Sequence, residues 1–483
     1  MATLNDLLGR EIEIKNAKAQ LFSQLDELND SLARIRVCIA EIRDVNRDAI
    51  TNNLPDETLA AIFEVGLALT KQPYVTSWNT RWINREKPFE MVVSSVSRRW
   101  RNVALQTPRL WTDLRINVSK FTARNILDLY LPRSKSCLLD IAFTQLSQDE
   151  RSYDPDPHFD ANNFTWCLGQ VVPYAARWRQ IVMEGISVGM VAHHVFSPLA
   201  ELYAPALERM VIDCHFNPPE VLEVFSVGAP LLSYMELMEV YFVPPLDTVT
   251  SLKLRVRSGQ LSYTDFNHLM SHMQSLTHLS LYANIVGIYN LATAAHHHPI
   301  ELPSVLSLDL ELHSSTMRYP SVGALCFLDL PALETLVVHG TTVDIVEGFT
   351  SHRRSYLALR TLTFTSPFKF GYEAIQSAEI REFIHLFPNV RDFIIDGTHP
   401  TFLRPLCEAQ TTDGSLWPQL SVITLKCQPV QPSLTLKDII RLVENRATLG
   451  HPISRITLSS YFVRRATRKE QEQLKKLVEL EEC

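Results

Sequence analysis

The feature of this sequence that most constrains its fold is a phrase, Pro-x-Leu-x-x-Leu-x-(Leu/Ile/Val), that recurs loosely from residue 205 onwards. Copies of the phrase lie at 205–212, 230–237, 331–338, 388–395 and 418–425, with shorter Leu-x-Leu segments between them. The second apolar position of these segments is occupied by Met210, Met235, Leu252, Leu279, Leu308, Leu336, Leu362, Phe393, Ile423 and Ile456. Except for one step of 17 residues, neighbouring positions are 25 to 33 residues apart. This spacing predicts a stack of repeated structural units.

The repeated segments fit a leucine-rich repeat of irregular length. LTHLSLYAN at 276–284 matches the full L-x-x-L-x-L-x-x-N pattern. Each Leu-x-Leu predicts a short strand whose alternate side chains face inward, and each repeat needs neighbours to bury that face. Helix-compatible segments lie at 262–274 and 374–386, and weak earlier copies lie at 138–142 and 180–183. The sequence predicts an α/β leucine-rich-repeat-like solenoid with parallel strands; the alternative is an ordinary α/β domain with crossover helices.

A sustained seven-residue repeat fills the chain from residue 4 to residue 50. One series of positions holds only Leu and Ile: Leu7, Ile14, Leu21, Leu28, Ile35 and Ile42. The series three residues earlier in each heptad holds Leu4, Glu11, Lys18, Leu25, Leu32, Ile39 and Asn46. Such a repeat is typical of a coiled coil. Two interpretations stay open: a coiled coil that makes the chain a homodimer, and a long amphipathic helix that folds back on the following domain.

The segment 54–114 carries more large apolar side chains than a short helical unit can bury by itself. Its pattern predicts a helix from the Leu54-Pro55 pair, a loop at 71–87, a second helix at 91–96 and a third from Arg98 to Gln106. Ser97 is a suitable N-cap for the third helix, and Thr107-Pro108 ends it. The apolar surplus predicts a surface that docks on a partner.

The order LPDETLAAIF, then VSRRWRNVALQTPRLW, resembles the F-box in the variant common in mushroom-forming fungi, whose members also carry a short coiled coil before the Leu-Pro motif. The sequence departs from that pattern in its loop at 71–87 and in Ser97, where many relatives have Cys. The resemblance implies docking on the Skp-type adaptor of a cullin–RING (SCF-type) ubiquitin ligase. The residues that it assigns to adaptor binding are Leu54, Pro55, Leu59, Ile62, Phe63, Val96, Trp100, Leu105, Leu110 and Trp111.

In such a protein the repeats would bind a protein substrate whose identity the sequence does not reveal. Side chains that flank the strand leucines are expected on the concave side of the solenoid. The candidate substrate face consists of Lys253, Arg255, Tyr282, Asp309, Glu311, His339, Asp396 and Lys426. Their mixed charge favours a protein or peptide ligand over a polyanion.

Composition excludes several classes of protein. The net charge of −7 and the pI of about 6.2 provide no basic patch for nucleic acid. The eight cysteines include no C-x-x-C pair, which favours reduced thiols in the cytoplasm or nucleus. The polar N-terminal residues predict no signal peptide, and no apolar run is long enough for a membrane span.

The sequence provides little sign of catalysis, and we expect no enzymatic activity, cofactor or metal. His268 and His272 have the i, i+4 spacing of a helical metal site, but Leu269, Met270 and Ser271 between them supply no general base. The sequence is compatible with three functions: a substrate-recognition subunit of a ligase, a scaffold or sensor outside the ligase, and a metal hydrolase that uses these two histidines.

The predicted chain is α+β overall and has four parts. They are a coiled-coil helix at 1–50, a three-helix F-box-like domain at 51–116, the solenoid at 130–462 and a charged C-terminal capping helix at 463–483.

Overall fold

The computed structural model of the chain divides into two compact units, Met1–Trp111 and Thr112–Cys483. The structure describes residues 4–47, 54–70, 87–119, 122–145, 161–187, 192–215, 221–238, 241–255, 261–282, 285–286, 298–312, 327–340, 345–346, 349–350, 354–365, 377–396, 400–403, 405–406, 416–426 and 435–482. None of the helices in these ranges is both long and apolar enough to cross a membrane.

The first unit is helical. Its elements are α1 (Leu4–Arg47), α2 (Asp56–Thr70), α3 (Phe89–Val96), α4 (Arg98–Gln106) and a short 3-10 helix (Pro108–Trp111). The heptad repeat therefore folds as one helix of 44 residues. The third predicted helix has the bounds that the sequence indicates, whereas the second starts two residues earlier, directly after Pro88. Nearly all of the predicted loop at 71–87 lies outside the described residues.

Within the described residues, the second unit is built on a sheet of 14 strands, all parallel to their neighbours. Its strands are β1 (Asp113–Asn117), β2 (Leu139–Thr144), β3 (Trp178–Ser187), β4 (Arg209–His215), β6 (Tyr234–Met238), β8 (Ser251–Arg255), β9 (His278–Tyr282), β11 (Ser307–Glu311), β13 (Thr335–His339), β14 (Thr361–Thr365), β15 (Asp392–Asp396), β16 (Val422–Leu425), β17 (Arg455–Leu458) and β18 (Glu479–Glu482). Two small parallel sheets pair β5 (Val221–Glu223) with β7 (Tyr241–Val243) and β10 (Ile300–Glu301) with β12 (Leu328–Asp329). The strands of the large sheet lie side by side in the order in which they occur along the chain, as in a solenoid.

The strand register confirms the predicted repeat position by position. Met210 pairs with Met235, which pairs with Leu252, and the same row runs through every predicted position to Ile456. It extends to Leu114 at one end and Leu480 at the other. The weak copies at 138–142 and 180–183 are strands β2 and β3. The fold class is therefore the predicted α/β repeat solenoid with parallel strands.

Both ends of the sheet differ from the sequence prediction. The first strand, β1, begins at Asp113, and the boundary between the units lies at Trp111/Thr112 rather than at residue 116. At the other end the predicted capping helix stops at Leu477, and Glu479–Glu482 continue as strand β18. Half-buried Leu480 pairs in register with buried Ile456, and its acidic neighbours conceal this strand in the sequence.

A ladder of backbone hydrogen bonds joins the turns that precede the strands. The carbonyl of Leu306 accepts hydrogen bonds from the amides of Glu334 and Thr335, both at 2.9 Å. Glu334 then accepts from the amides of Arg360 and Thr361 in the same way. This pattern, one carbonyl with two amides of the next turn, recurs along the sheet from Glu208 to Ser421. It satisfies backbone groups at the turns just before the strands. Asn284, the Asn of the full repeat pattern, follows strand β9 and lies outside the described residues.

The core lies between the sheet and the segments that connect its strands. The α-helices among the described connecting segments are α5 (Thr122–Arg133), α6 (Ala161–Val171), α7 (Ala192–Ala200), α8 (Tyr263–Ser271), α9 (Ser377–His385), α10 (Leu436–Thr448), α11 (Ser460–Arg465) and α12 (Arg468–Leu477). Aromatic side chains fill part of this layer: Phe364 lies 5.8 Å from Phe383 of α9 and 5.5 Å from Phe393, and Phe393 lies 4.8 Å from Trp417. The second and fourth side chains of the strands point into this core, and Leu308, Leu336 and Phe393 are fully buried.

Candidate docking and recognition surfaces

Helices α2, α3 and α4 with the 3-10 helix form a small module that has its own core. Its buried apolar side chains are Leu59, Phe63, Leu67, Val93, Val103, Ala104, Leu110 and Trp111. The indole of Trp111 donates a hydrogen bond to the carbonyl of Ala104 at 2.9 Å, which ties the 3-10 helix to α4. A buried Trp usually needs such a partner.

Polar contacts fix the ends of these helices. The hydroxyl of Ser97 accepts a hydrogen bond from the amide of Trp100 at 3.1 Å and caps α4. Arg99 pairs with Asp56 at 2.7 Å and also donates to the carbonyl of Leu54. This arginine therefore attaches the Leu-Pro segment at the start of α2 to α4.

A group of aliphatic side chains on the module is exposed although the module core is complete. We call it the helical patch; it comprises Ile62 (48% exposed), Val65 (60%), Leu69 (83%), Val92 (44%) and Val96 (57%). The two helices meet where Gly66 faces the ring of Phe89, because a Cβ at Gly66 would lie 2.4 Å from that ring. Ile62 and Leu69 share a face with Gly66, and Val92 and Val96 share a face with Phe89. The aliphatic groups of α2 and α3 therefore adjoin.

The ten residues that the sequence assigns to adaptor binding fall into three groups in the structure. Leu59, Phe63, Leu110 and Trp111 are buried and cannot touch a partner while the module is folded. Leu54, Trp100 and Leu105 are half-buried, and Trp100 packs on Phe63 with ring centroids 5.0 Å apart. Pro55, Ile62 and Val96 are exposed. Val65, Leu69 and Val92 are also exposed on these two helices, and helical spacing from Ile62 and Val96 could have identified them in the sequence.

The sheet of the second unit presents a second face, which we define as the side formed by the first, third and fifth residues of its strands. From β6 to β13 charged groups on this face pair with one another. Lys253 lies 3.0 Å from Glu236, and the Glu236 carboxylate also accepts from the Tyr234 hydroxyl at 2.9 Å. The guanidinium of Arg209 stacks on the Tyr234 ring at 4.1 Å.

Two further pairs join residues of the predicted substrate face. Arg255 lies 3.2 Å from Glu311, and the Nε2 atom of His339 lies 2.9 Å from Asp309. The structure thus brings together four of the eight predicted residues, while a fifth, Lys253, pairs with a carboxylate that the sequence analysis did not single out. Ring nitrogen Nδ1 of His339 also contacts the Thr365 hydroxyl.

From β13 onwards the third strand positions of the second face hold different side chains. They are uncharged, β-branched and half-buried: Val337, Thr363, Ile394, Thr424 and Thr457. The strands are in register, so these side chains form one strip across the sheet. Asp396 and Lys426, the remaining charged residues of the predicted substrate face, are exposed beside this strip, whereas Tyr282 is half-buried on β9.

Three carboxylates lie close together on the N-terminal part of the second face. Glu184 and Asp213 are register partners on β3 and β4, and Glu236 lies on the next strand of the sheet. Burial, together with the negative charges of Asp213 and Glu236, raises the pKa of Glu184 to about 7. At neutral pH this carboxyl group is therefore about half protonated.

The two histidines considered for a metal site are neighbours: His268 lies in α8, and His272 directly follows the helix. Their ring centroids are 4.6 Å apart, and Nδ1 of His272 lies 2.6 Å from the backbone carbonyl of His268. One ring nitrogen of His272 is thus engaged with the backbone. Within the part of the chain that the structure describes, no group of three or more His, Cys, Asp and Glu side chains is arranged to hold a metal ion.

Comparison with known proteins identifies no relative by sequence: no family model matches the chain, and no curated protein matches it. Among solved structures, the crystal structure of the Rad7 and Elc1 complex in yeast is similar, with a TM-score of 0.28 and 12% identity. The match covers 83% of this chain and 96% of that chain. The assignment of a parallel repeat solenoid rests on the strand register described above.

Proposed function

We propose that this chain is the substrate-recognition subunit of a cullin–RING (SCF-type) ubiquitin ligase. In this proposal the three-helix module docks on the Skp-type adaptor, and the repeat sheet binds a protein substrate. The chain carries no chemistry of its own and works in the cytoplasm or nucleus. Its contribution is effective concentration, because a tethered substrate meets the ubiquitin-charged enzyme in a quasi-intramolecular reaction.

The observation that carries the proposal is the exposed helical patch. The module buries Phe63 and Trp111 fully, so it has a sufficient core, yet five aliphatic side chains on α2 and α3 remain 44–83% exposed. A contiguous apolar surface on a folded module is typical of a protein-binding site. Apolar anchors on helix faces are also a common means of recognition between proteins.

Adaptor binding is tested with the full chain and a purified Skp-type adaptor. Ile62→Asp with Val96→Asp places two charges in the helical patch without disturbing the buried core. We expect these changes to weaken binding at least tenfold in calorimetry. The control, Leu357→Asp, changes a side chain that is 65% exposed in the second unit and should leave binding unchanged. Unchanged binding in the patch variant, with its helical circular dichroism retained, would contradict the docking assignment.

These surface positions test docking better than Trp100 does. Trp100 is half-buried against Phe63, so replacing it also loosens the module core. A loss of binding in Trp100→Ala would therefore leave two explanations, whereas Ile62 and Val96 are exposed and separate them.

For substrate binding we favour the uncharged strip on β13–β17 over the charged region on β6–β13. Arg255 and Glu311 form an ion pair within the sheet, and His339 contacts Asp309, so a ligand would have to compete for these side chains. Half-buried Ile394 and Thr424 offer apolar and hydroxyl contact without breaking an ion pair. A protein segment with an apolar face and few charges fits this strip.

The substrate surface is tested by affinity capture with the adaptor-bound chain while ligase activity is blocked, followed by reconstituted ubiquitin transfer. Ile394→Lys with Thr424→Lys should abolish capture of substrates that the wild-type complex ubiquitinates, while adaptor binding persists. Arg255→Gln serves as the control for the paired region, with an expected loss of less than threefold.

A scaffold or sensor outside the ligase is the second candidate, because the same modules serve protein–protein interaction in general. Reconstitution with cullin, RING protein and ubiquitin-charged enzyme separates the two. An adaptor-bound chain that never supports ubiquitin transfer to any captured protein favours the scaffold.

A further inference from the structure

Helix α1 carries an apolar surface that is separate from the helical patch. Its side chains are exposed throughout residues 8–39. The exposed apolar residues at heptad positions form what we call the α1 seam: Leu21 (64% exposed), Leu25 (55%), Leu28 (71%), Leu32 (47%), Ile35 (59%) and Ile39 (43%). A helix that folded back on the following domain would bury these side chains, but they are exposed in the structure.

The α1 seam is continuous and has a defined start. Its residues alternate at spacings of four and three, which keeps them on one side of a helix that pairs with another. The preceding positions of the repeat hold the charged residues Glu11 and Lys18. Glu11 pairs with Lys15 at 2.8 Å, and the Nζ atom of Lys18 lies 5.8 Å from the centre of the Phe22 ring. The apolar stretch from Leu21 to Ile39 is thus the part suited to close helix pairing.

The side chains that flank the seam determine which partner it accepts. Phe22, Asn29 and Arg36 lie on one side, and Gln24, Ser31 and Cys38 lie on the other. These six flanking positions include no acidic residue, since Asp26, Glu27 and Asp30 lie on the remote side of the helix. Flanking residues set the choice and direction of partner helices.

We propose that the occupant of the α1 seam is the same helix of a second copy of this chain, in antiparallel orientation. Aligned about residue 30, the seam is self-complementary: Leu21 meets Ile39, Leu25 meets Ile35 and Leu28 meets Leu32 of the other copy. Arg36 then approaches the Phe22 ring, a favourable cation–π pair. A parallel, in-register pair would instead stack Glu11 on Glu11 and Lys18 on Lys18.

Antiparallel pairing has a geometric consequence for the proposed substrate-recognition subunit. The two helical modules follow the C-terminal ends of their helices, so they would lie at opposite ends of the pair. From residue 30 to Arg47 the helix extends about 25 Å, which separates these ends by about 50 Å. One assembly would thus present two docking modules that face different adaptors.

The mass of the full chain in solution tests self-association. At micromolar concentration, sedimentation equilibrium should yield twice the chain mass of 55.1 kDa. Leu28→Asp with Ile35→Asp should return the mass to that of one chain. Ser23→Asp with Ala33→Asp adds the same charge to the remote side of the helix and should leave the dimer intact. A wild-type chain that stays monomeric at tens of micromolar, or a seam variant that stays dimeric, would overturn the proposal.

Disulfide trapping tests the orientation in a Cys38→Ser background. Leu28→Cys with Leu32→Cys should form a covalent dimer on mild oxidation, because these positions face each other only in the antiparallel pair. Leu28→Cys alone should not. A covalent dimer of the single variant would overturn the antiparallel arrangement. The proposed adaptor binding depends on the helical patch and not on the α1 seam. The adaptor-binding experiment and the self-association experiment can therefore fail independently of each other.

Discussion

The repeat sheet and the three-helix module treat their aliphatic side chains in opposite ways. In the sheet, the row that runs through Leu308, Leu336 and Phe393 is fully buried by neighbouring repeats and connecting segments. In the module, Ile62 and Leu69 remain 48% and 83% exposed on helices whose opposite faces are fully packed. Apolar content alone therefore does not identify a core. The sheet buries its aliphatic side chains between repeats, whereas the module has more of them than its core contains.

The largest expected effect breaks the buried side of this comparison. Phe393→Ala removes a ring that contacts Phe364 and Trp417 from a position with 0% exposure. Loss of a buried Phe side chain should lower the free energy of unfolding by about 3–5 kcal/mol. Urea denaturation followed by circular dichroism measures it.

The control for that experiment is Leu357→Ala in the same unit, at a side chain that is 65% exposed. Its effect should stay within about 0.5 kcal/mol. Similar losses in both variants would mean that Phe393 is not part of a cooperative core.

A second prediction concerns a polar group that weakens the sheet. Because the folded pKa of Glu184 is raised from 4.5 to about 7, the folded state binds a proton more tightly than the unfolded chain does. Stability contributed by this group is therefore complete below pH 4.5 and falls as pH rises through 7, by up to about 3 kcal/mol.

Glu184→Gln should abolish this fall and stabilise the protein at pH 8 relative to the wild type. Thermal unfolding of both proteins at pH 5 and pH 8 measures the difference. An equal change in stability between pH 5 and pH 8 in the two proteins would contradict the assignment to Glu184.

A smaller effect is expected where a single hydrogen bond starts α4 of the module. Ser97→Ala removes the acceptor of the Trp100 amide and should cost about 1 kcal/mol. Ser97→Asp retains an acceptor and should retain most of the stability. Chemical denaturation of the three proteins provides the comparison.

The smallest effect on stability is expected on the exposed side of the comparison. Val65→Ser with Leu69→Ser changes side chains that are 60% and 83% exposed, so the free energy of unfolding should change by less than about 0.5 kcal/mol per site. Adaptor binding should nevertheless weaken. A destabilisation as large as that of Phe393→Ala would show that the helical patch belongs to a core.

The sequence predicted those parts of the fold that repeat. Ten strand positions from Met210 to Ile456 lie in one register, because each follows the same apolar spacing. Strand β1 was missed because Pro108-x-Leu110 lies one residue farther from its strand than in the repeat phrase and was assigned to the helical module, and β18 because its acidic residues resemble a helix end. Strands with only two or three residues, such as β10, have no periodicity to detect.

The candidate surfaces were less predictable than the fold. Sequence spacing identifies an apolar residue but not which of two helix faces the core occupies, so Leu59 and Ile62 were treated alike although they are 1% and 48% exposed. Ion pairs between distant repeats, such as Arg255 with Glu311, depend on strand order and register. Strand order and register are known only from the folded structure.

The backbone ladder between turns also bears on how such a chain can change over generations. Because the rungs join only the residues just before each strand, the segment between two rungs can lengthen or shorten without altering the register of the sheet. A whole rung can likewise be duplicated or deleted as a genetic unit. The architecture therefore permits the connecting segments to diversify while Leu-x-Leu and its turn are retained.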